Sequence, residues 1–390
     1  MALTVGKFTY SDTTTQIRSV VPIFDLLSPK EVPFLKRISG GDVDKPSLNS
    51  LSAPCTASKY EWIEDIDPPV KTTLLANTLI GDLTLGVAAA QTLYIVENMI
   101  LLIGTEQLMV TANDNLSTAT SITVTHAWGG TTAAGHTLGD VVYIVGRAHR
   151  EGQDAPQDSY MYPTMPYNYV QEFTAGIVLS EMEQAIKRYG IDNAVEYETA
   201  KKARLEFIMM ERQCFYGKRV LGAAGTAGAF GGLETYIPAA NTTDLSAAAL
   251  ATADISNMLQ KIYDTVGQVG MPNTIVCGSW ARRKLSTIYS TTSVTTYRDQ
   301  ESRTGGVRVD TINTEFTDLD ILLTPWCNPA NVYFLNIDKI GIGPLEGQEF
   351  RREMLAKTGT SDKWMITGEY TLEVRASANH GLIKNISTTT

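Results

Sequence analysis

The stretch from Asn193 to Gly217, NAVEYETAKKARLEFIMMERQCFYG, decides how the rest of this chain is read. Tyr197, Ala200, Ala203, Phe207, Met210 and Cys214 recur at steps of three and four, which puts them on one face of an α-helix and predicts that this face is buried. Asn193 with Glu196 three residues on resembles a capping box, Glu198 and Lys202 form a favourable pair on the wet side, and Gly217 supplies the stop. A helix from Asn193 to Tyr216 is a rod of roughly 36 Å. The residues before it, from Gln171, read as another helical pattern, divided from this one by Gly190-Ile191-Asp192-Asn193.

A long rod needs a partner of similar length. From Trp364 to Val374 the even positions are Trp, Ile, Gly, Tyr, Leu and Val, while most odd ones are Thr or Glu, the period of a strand with one dry face. At about 3.3 Å per residue such a strand spans close to 40 Å. The expected frame is an α+β fold with the long helix laid across a long hairpin or sheet; an ordinary α+β core whose helix happens to be long is the alternative.

With 390 residues, 43% of them apolar, the chain exceeds one typical domain and can bury two or three lobes. Met1-Ala-Leu-Thr-Val-Gly-Lys7 has neither the charged nor the apolar region of a secretion signal. The most apolar run, Met99 to Val110, is broken by Gly104 and Glu106 and is too short to cross a bilayer, so a soluble protein with no membrane partner is expected. Cys55, Cys214, Cys277 and Cys327 are far apart without CxxC spacing, which predicts free thiols in a reducing cytoplasm. A net charge of -10 with no compensating basic run argues against tight neutralisation of nucleic-acid phosphates.

Residues 1 to about 55 carry Pro22, Pro29, Pro33, Pro46 and Pro54, with apolar islands such as Val20 to Phe24 and Phe34-Leu35. That composition predicts an extended arm that docks its islands on another surface. Lys59 to Glu64 alternates as the first strand of a hairpin. Between Ala76 and Arg147 charges thin out and strands are expected at Thr92 to Glu97, Gln107 to Ala112, Ser121 to Thr125 and Asp140 to Val145, a small all-β module. His126 and His136 fall in one of its loops, where turn chemistry is favoured over a metal site because no third ligand has suitable spacing. Gly222 to Gly232 follows a helix and lacks a phosphate-loop register, so it reads as a flexible joint. Beyond it come a helix from Thr252 to Val266, a buried strand from Thr274 to Gly278, and a short helix from Ser279 carrying Arg282, Arg283 and Lys284 as a solvated face. Strands follow at Val307 to Phe316, Asp320 to Thr324 and Asn331 to Asn336.

No catalytic, cofactor-binding or metal-ligating residues emerge. Ser279 in Cys277-Gly-Ser-Trp280 lacks the GxSxG elbow, and His126, His136, His149 and His380 sit in unrelated contexts. The carboxylate pairs Glu61 and Glu64, and Glu369 and Glu373, are expected on the wet sides of strands.

Leu355-Ala-Lys-Thr-Gly359, Asp362-Lys363 and Glu369-Tyr-Thr-Leu-Glu-Val-Arg375 near the end, with Lys59-Tyr-Glu-Trp62 and Gly231-Gly-Leu-Glu234 before them, carry a resemblance. In this order they resemble the major capsid proteins of tailed bacteriophages with the Hong Kong 97 fold. The resemblance implies an N-arm at 1–55, an E-loop at 56–166 with a β-rich insertion at about 76–147, and the spine helix of a peripheral domain at 167–232. It further implies an axial domain at 233–335, with peripheral-domain strands and the C-terminus at 336–390. It implies a structural protein, not an enzyme, that self-assembles in the host cytoplasm into the icosahedral shell of the virion. Its copies would form pentamers and hexamers enclosing double-stranded DNA without sequence-specific binding. The implied partners are a separate scaffolding protein, a portal and a decoration protein. The family archetype cross-links subunits through a Lys and an Asn; neither is matched to a position here, and covalent cross-linking stays open. A tail or minor virion protein and, behind it, a cytoplasmic enzyme are the alternatives.

Overall fold

A computed structural model describes residues 31–39, 48–65, 68–113, 120–152, 154–156, 158–159, 162–186, 193–291, 311–357 and 359–388. The chain divides into two compact units, one of residues 1–61 with 167–390 and one of residues 62–166. Of the expected arm, residues 1–30 and 40–47 lie outside the described residues, as do 190–192 of the expected helix break and 307–310 of the expected strand.

In the larger unit the long helix is Ala194–Tyr216. Asn193 caps it, its Oδ1 accepting from the Val195 and Glu196 amides at 3.0 and 3.3 Å, which relieves two of the four orphan N–H groups at a helix start. It stops at Gly217, where a Cβ would lie 2.6 Å from the carbonyl oxygens of both Gln213 and Phe230. The expected dry face holds toward the C-terminal end, where Met210 and Cys214 are fully buried and Phe207 packs at the edge of the core. Toward the N-terminal end it does not hold: Ala200 is exposed, because burial on this helix begins only at Glu206. Glu198 pairs with Lys201 at 3.9 Å, and Lys202 acts instead on Glu206, whose carboxyl burial raises and Lys202 partly offsets.

Gln171–Ser180 is a strand and not the helix its pattern suggested. Phe173, Ala175 and Ile177 are buried and alternate with exposed neighbours, a period of two, and only Glu181–Ala185 beyond them is helical. This strand pairs antiparallel with the long strand Ser361–Val374, from Gln171 opposite Tyr370 to Ser180 opposite Ser361. On its other side the long strand takes Arg351–Leu355 and then Ile340–Pro344, completing four strands. Its even positions from Ile366 to Val374 are buried as expected, but so are Thr367, Thr371 and Glu373. The expectation of a wet side for Glu373 fails because residues 48–52 cover that end: Ser52 N–H donates to Glu373 Oε2 at 2.8 Å. Glycine makes the cover possible, since a Cβ on Gly341 would lie 2.5 Å from the Ser50 carbonyl oxygen.

A second sheet of six strands runs in the order Thr242–Asp244, Gly381–Lys384, Val332–Leu335, Thr274–Cys277, Asp318–Leu323, Thr311–Asn313. Its central strands are buried on both faces. Val276, Tyr333 and Leu335 face the core shared with the long helix, while Ile275, Val332 and Phe334 face the helix Thr252–Val266 and Ala281 and Leu285 of Ser279–Thr291. Because Gly381–Lys384 returns to this sheet, a boundary at 335/336 does not separate the two sheets. The glycine-rich stretch is not a loose joint: Val220 and Ala229 exchange backbone hydrogen bonds, and the Asn168 side chain pins both the N–H and the C=O of Gly231 at 2.7 and 3.0 Å.

The smaller unit is built on an antiparallel sheet in the order Lys71–Thr73, Val141–Arg147, Met99–Ile103, Glu106–Ala112, Ser121–Thr125, Thr84–Gly86. The apolar run at Met99 is a hairpin turned at Gly104, whose φ of 59° favours glycine. Leu85, Leu101, Ile103, Leu108, Val110, Ile122, Val124 and Val142 fill one face. The strand expected at Thr92 to Glu97 is absent; a 3-10 turn, Ala89–Leu93, stands there, closed by the Ala88 N–H donating to Gln91 Oε1 at 2.9 Å.

Candidate assembly surfaces

The segment 31–39 shows where the expected arm meets the folded unit. Pro33–Ile38 is a short helix whose Phe34 and Leu35 are fully buried against Phe215 and Tyr333 of the main core. Each side chain of this size contributes on the order of 1.5 to 3 kcal/mol by burial. Val32 offers no side-chain cap, and the long helix supplies one from outside: Leu35 N–H donates to Glu211 Oε2 at 3.3 Å. The Thr324 hydroxyl donates to Glu211 Oε1 at 2.5 Å. Burial raises the Glu211 carboxyl to about 7, with Thr324 and the amides of Leu35 and Phe34 partly offsetting it. Arg37 pairs with Asp320 at 3.0 Å, and the Trp326 indole N–H donates to the Glu31 carbonyl at 2.7 Å. The part of the expected arm from Glu31 to Ser39 therefore docks on its own unit, as does the stretch around Leu48 and Ser50, where Ser50 and Ile342 are hydrogen-bonded.

Beyond this anchor the larger unit leaves apolar and edge groups open. Every residue of Arg351–Leu355 is exposed, Met354 among them at 63%; on the other side of the long strand, Val178 of Gln171–Ser180 and Met182 of the helix turn after it are exposed at 60% and 75%. A strand bare on both faces at a sheet edge presents unpaired backbone groups to a partner. In the smaller unit Val141, Tyr143 and Val145 stand exposed along one face of a strand.

The two loop histidines do meet a third group, Glu106, which sequence spacing missed. Glu106 is fully buried; its Oε1 faces His126 Nδ1 at 2.8 Å and accepts from the Ala127 N–H at 3.0 Å. Its Oε2 faces His136 Nε2 at 2.8 Å and accepts from the Ala134 N–H at 3.0 Å. Burial pushes this carboxyl up, but the four donors together outweigh it and hold the group below the usual carboxylate range. His126 Nε2 also lies 2.9 Å from the Asp82 carbonyl oxygen, so the ring is held between two acceptors, one from each side. The arrangement is a clip that fastens the 126–136 loop to the sheet. Among the described residues no group of three or more His, Cys, Asp or Glu is placed to hold a metal ion.

The remaining sequence candidates scatter. His149 is exposed, and His380 is buried with Nδ1 accepting from the Asn336 N–H at 3.3 Å and Nε2 donating to the Arg375 carbonyl at 3.2 Å. Cys55, Cys214, Cys277 and Cys327 are free and buried. Arg283 and Lys284 lie beside the Trp280 ring. Glu61 pairs with Lys59, and Glu64 accepts from the Trp62 indole at 3.0 Å. No helix among the described residues is long and apolar enough to cross a membrane.

Comparisons with known proteins agree with this layout. No curated protein matches the chain. The capsid asymmetric unit of cyanophage A-1(L) is similar with a TM-score of 0.59 at 10% identity, covering 98% of this chain and 100% of that one. The capsid of a native GTA particle is similar with a TM-score of 0.56 at 10% identity, covering 99% and 100%. At such identities the likeness shows the fold, which is that of Hong Kong 97-like capsid proteins. The family model described as the SU10 major capsid protein matches residues 7–387. A long helix on a long-stranded sheet, a second sheet beside it and a match over nearly the whole length lead to one conclusion: the chain belongs to the SU10 major capsid protein family, structural proteins of the tailed-phage shell.

Proposed function

We propose that copies of this chain assemble as pentamers and hexamers into an icosahedral shell that encloses double-stranded DNA without reading its sequence. The family match over residues 7–387 carries this reading. The net charge of -10 supports it, because an acidic wall does not hold DNA by phosphate neutralisation. In this reading Ala194–Tyr216 is the spine, the sheet of Ser361–Val374 belongs to the peripheral domain, and the six-stranded sheet with Val332–Leu335 at its centre belongs to the axial domain. Residues 56–166 form the E-loop with its β-rich insertion. The working arm is the chain before Pro33, since the part from Pro33 to Ile38 is bound into the subunit's own core. Assembly takes place in the host cytoplasm with a separate scaffolding protein, a portal and a decoration protein, and the product is the virion.

Truncation tests the reading. Removing residues 1–30 leaves Phe34, Leu35 and the Glu211 contacts in place, whereas removing residues 1–40 strips them from the core. Velocity sedimentation is expected to show large particles for the full chain and folded subunits or capsomers for the 1–30 deletion, with thermal unfolding of the subunit unchanged. Equal shell formation by both would take the arm out of assembly.

A further inference from the structure

The short helix Pro33–Ile38 is held to the larger unit by Phe34, Leu35 and Ile38 and by the one carboxyl that meets its backbone, Glu211. Six residues do not form a stable helix by themselves, so its shape depends on that contact. The Phe34 ring lies 4.8 Å from that of Phe215, one turn along the long helix from Glu211. The outer tie is weak: Arg37 and Asp320 are each about half exposed, and such pairs add little.

Glu211 is fully buried at this contact, and its donors are neutral. The short helix gives it the amides of Phe34 and Leu35, and the turn after Asp318–Leu323 gives it the Thr324 hydroxyl. The other titratable groups facing it are two thiols, Cys214 from the long helix and Cys327 from that turn. Burial lifts Cys214 well above the usual thiol range and Cys327 to about 12, so both stay protonated near neutrality. Lys36 and Arg37 of the short helix are exposed, and no cation among the described residues acts on Glu211. A carboxylate in that place is a buried charge with no counter-charge, which water would relieve.

We propose that Glu211 is the catch of a proton-controlled latch: with its proton on, the Pro33–Ile38 helix stays docked, and loss of the proton lets that helix lift away while the rest of the larger unit stays folded. Lifting returns the carboxyl to water and to its ordinary value of 4.5, against about 7 when docked. Docking is therefore fully favoured below about 4.5, weakens as pH rises to about 7, and changes no further above that. In the shell reading above, the proton would set how much chain the working arm contains; the latch itself rests on the subunit alone.

Hydrogen exchange of the full chain as unassembled subunit between pH 5 and pH 8, corrected for the intrinsic pH dependence of exchange, tests the latch. The strand Thr274–Cys277, buried throughout, is the reference. At each pH residues 33–39 are expected to open at least about a hundredfold more readily than that strand. Their opening is expected to rise on the order of 50-fold from pH 5 to pH 8, levelling off above about 7. Glu211→Gln keeps an acceptor for the Leu35 amide and has no proton to lose, so it is expected to flatten the rise and to stay docked at pH 8. Should that variant fail to fold by circular dichroism, Thr324→Val replaces it. Loss of the hydroxyl donor is expected to move the levelling point upward, and an unmoved one overturns the latch. Opening at 33–39 that is independent of pH, or a rise that survives in Glu211→Gln, would overturn it too. So would protection there equal to that of Thr274–Cys277, which would mean that the helix leaves only when the whole unit unfolds. None of these readings needs a shell, so failure of the latch is distinct from failure of the assembly reading.

Discussion

Glu106 in the smaller unit and Glu211 in the larger one are both fully buried, and they have opposite protonation behaviour. Glu106 sits among two backbone amides and two imidazole rings, enough donors to overcome the cost of burying charge. Glu211 has the Thr324 hydroxyl and the start of one short helix, and its carboxyl rises to about 7. The difference teaches that burial alone does not set the state of a carboxylate; the number and charge of its donors do. It also separates a permanent fastening, the loop clip at Glu106, from a junction at Glu211 whose charge changes near neutral pH.

The largest effect that would sharpen this contrast is expected at Glu106. Glu106→Ala leaves two amides and two rings unpaired around a buried void and is expected to cost about 3 to 5 kcal/mol in the smaller unit. Hydrogen exchange at residues 122–136 reads it; unchanged protection there would mean that the clip does not hold the loop.

Next comes the pH dependence of the larger unit, to which two groups contribute with opposite sign. The folded Glu211 binds its proton more tightly than the unfolded chain does, so its contribution is fully present below about 4.5 and is lost as pH rises through about 7. Over that window it amounts to about 3 kcal/mol. His380 runs the other way. Burial lowers it to about 4, so its contribution is present above about 6.5 and is lost, again by about 3 kcal/mol, as pH falls through about 4. Between about 4.5 and 6.5 the two slopes oppose each other. Glu211→Gln is therefore expected to raise stability at pH 8 relative to pH 5 compared with the unsubstituted chain, measured by chemical unfolding; an unchanged difference between the two pH values would contradict the assignment.

The smallest effects belong to the uncharged contact between helix and sheet. Ala203 packs half-buried at the cluster of Ala175, Ile177 and Ile366, so Ala203→Leu is expected to cost about 1 to 3 kcal/mol by overpacking. Lys202→Gln is expected to cost under about 0.5 kcal/mol. Chemical unfolding of unassembled subunits separates them; equal costs would place Ala203 outside the contact.

Local signals made the frame legible before any coordinates. Asn193 and Gly217 marked the ends of the long helix, the alternation from Trp364 to Val374 marked most of the long strand, though its dry face is buried only from Ile366 on, and Ser121–Thr125 and Thr252–Val266 were legible with their bounds. Gln171–Ser180 was misread because Phe173, Ile177 and Ser180 also fit a helical spacing; what decides for a strand is ten residues of pairing with a segment almost two hundred positions away. The burial of Glu106, Glu211 and Glu373 was invisible for the same reason. Their partners, His126 and His136, Thr324 and Leu35, and Ser52, come from distant segments that no spacing rule connects.

The central claim is that this chain is a shell subunit whose long helix and long strand form the frame of a Hong Kong 97-like fold. Electron cryomicroscopy of particles formed by the full chain, produced alone and alongside the proposed scaffolding partner, tests it most directly. The account predicts closed shells with five-fold and six-fold clusters, in which Ala194–Tyr216 lies across Ser361–Val374 within each subunit. Discrete monomers under both conditions, or open tubes of stacked rings, would contradict it.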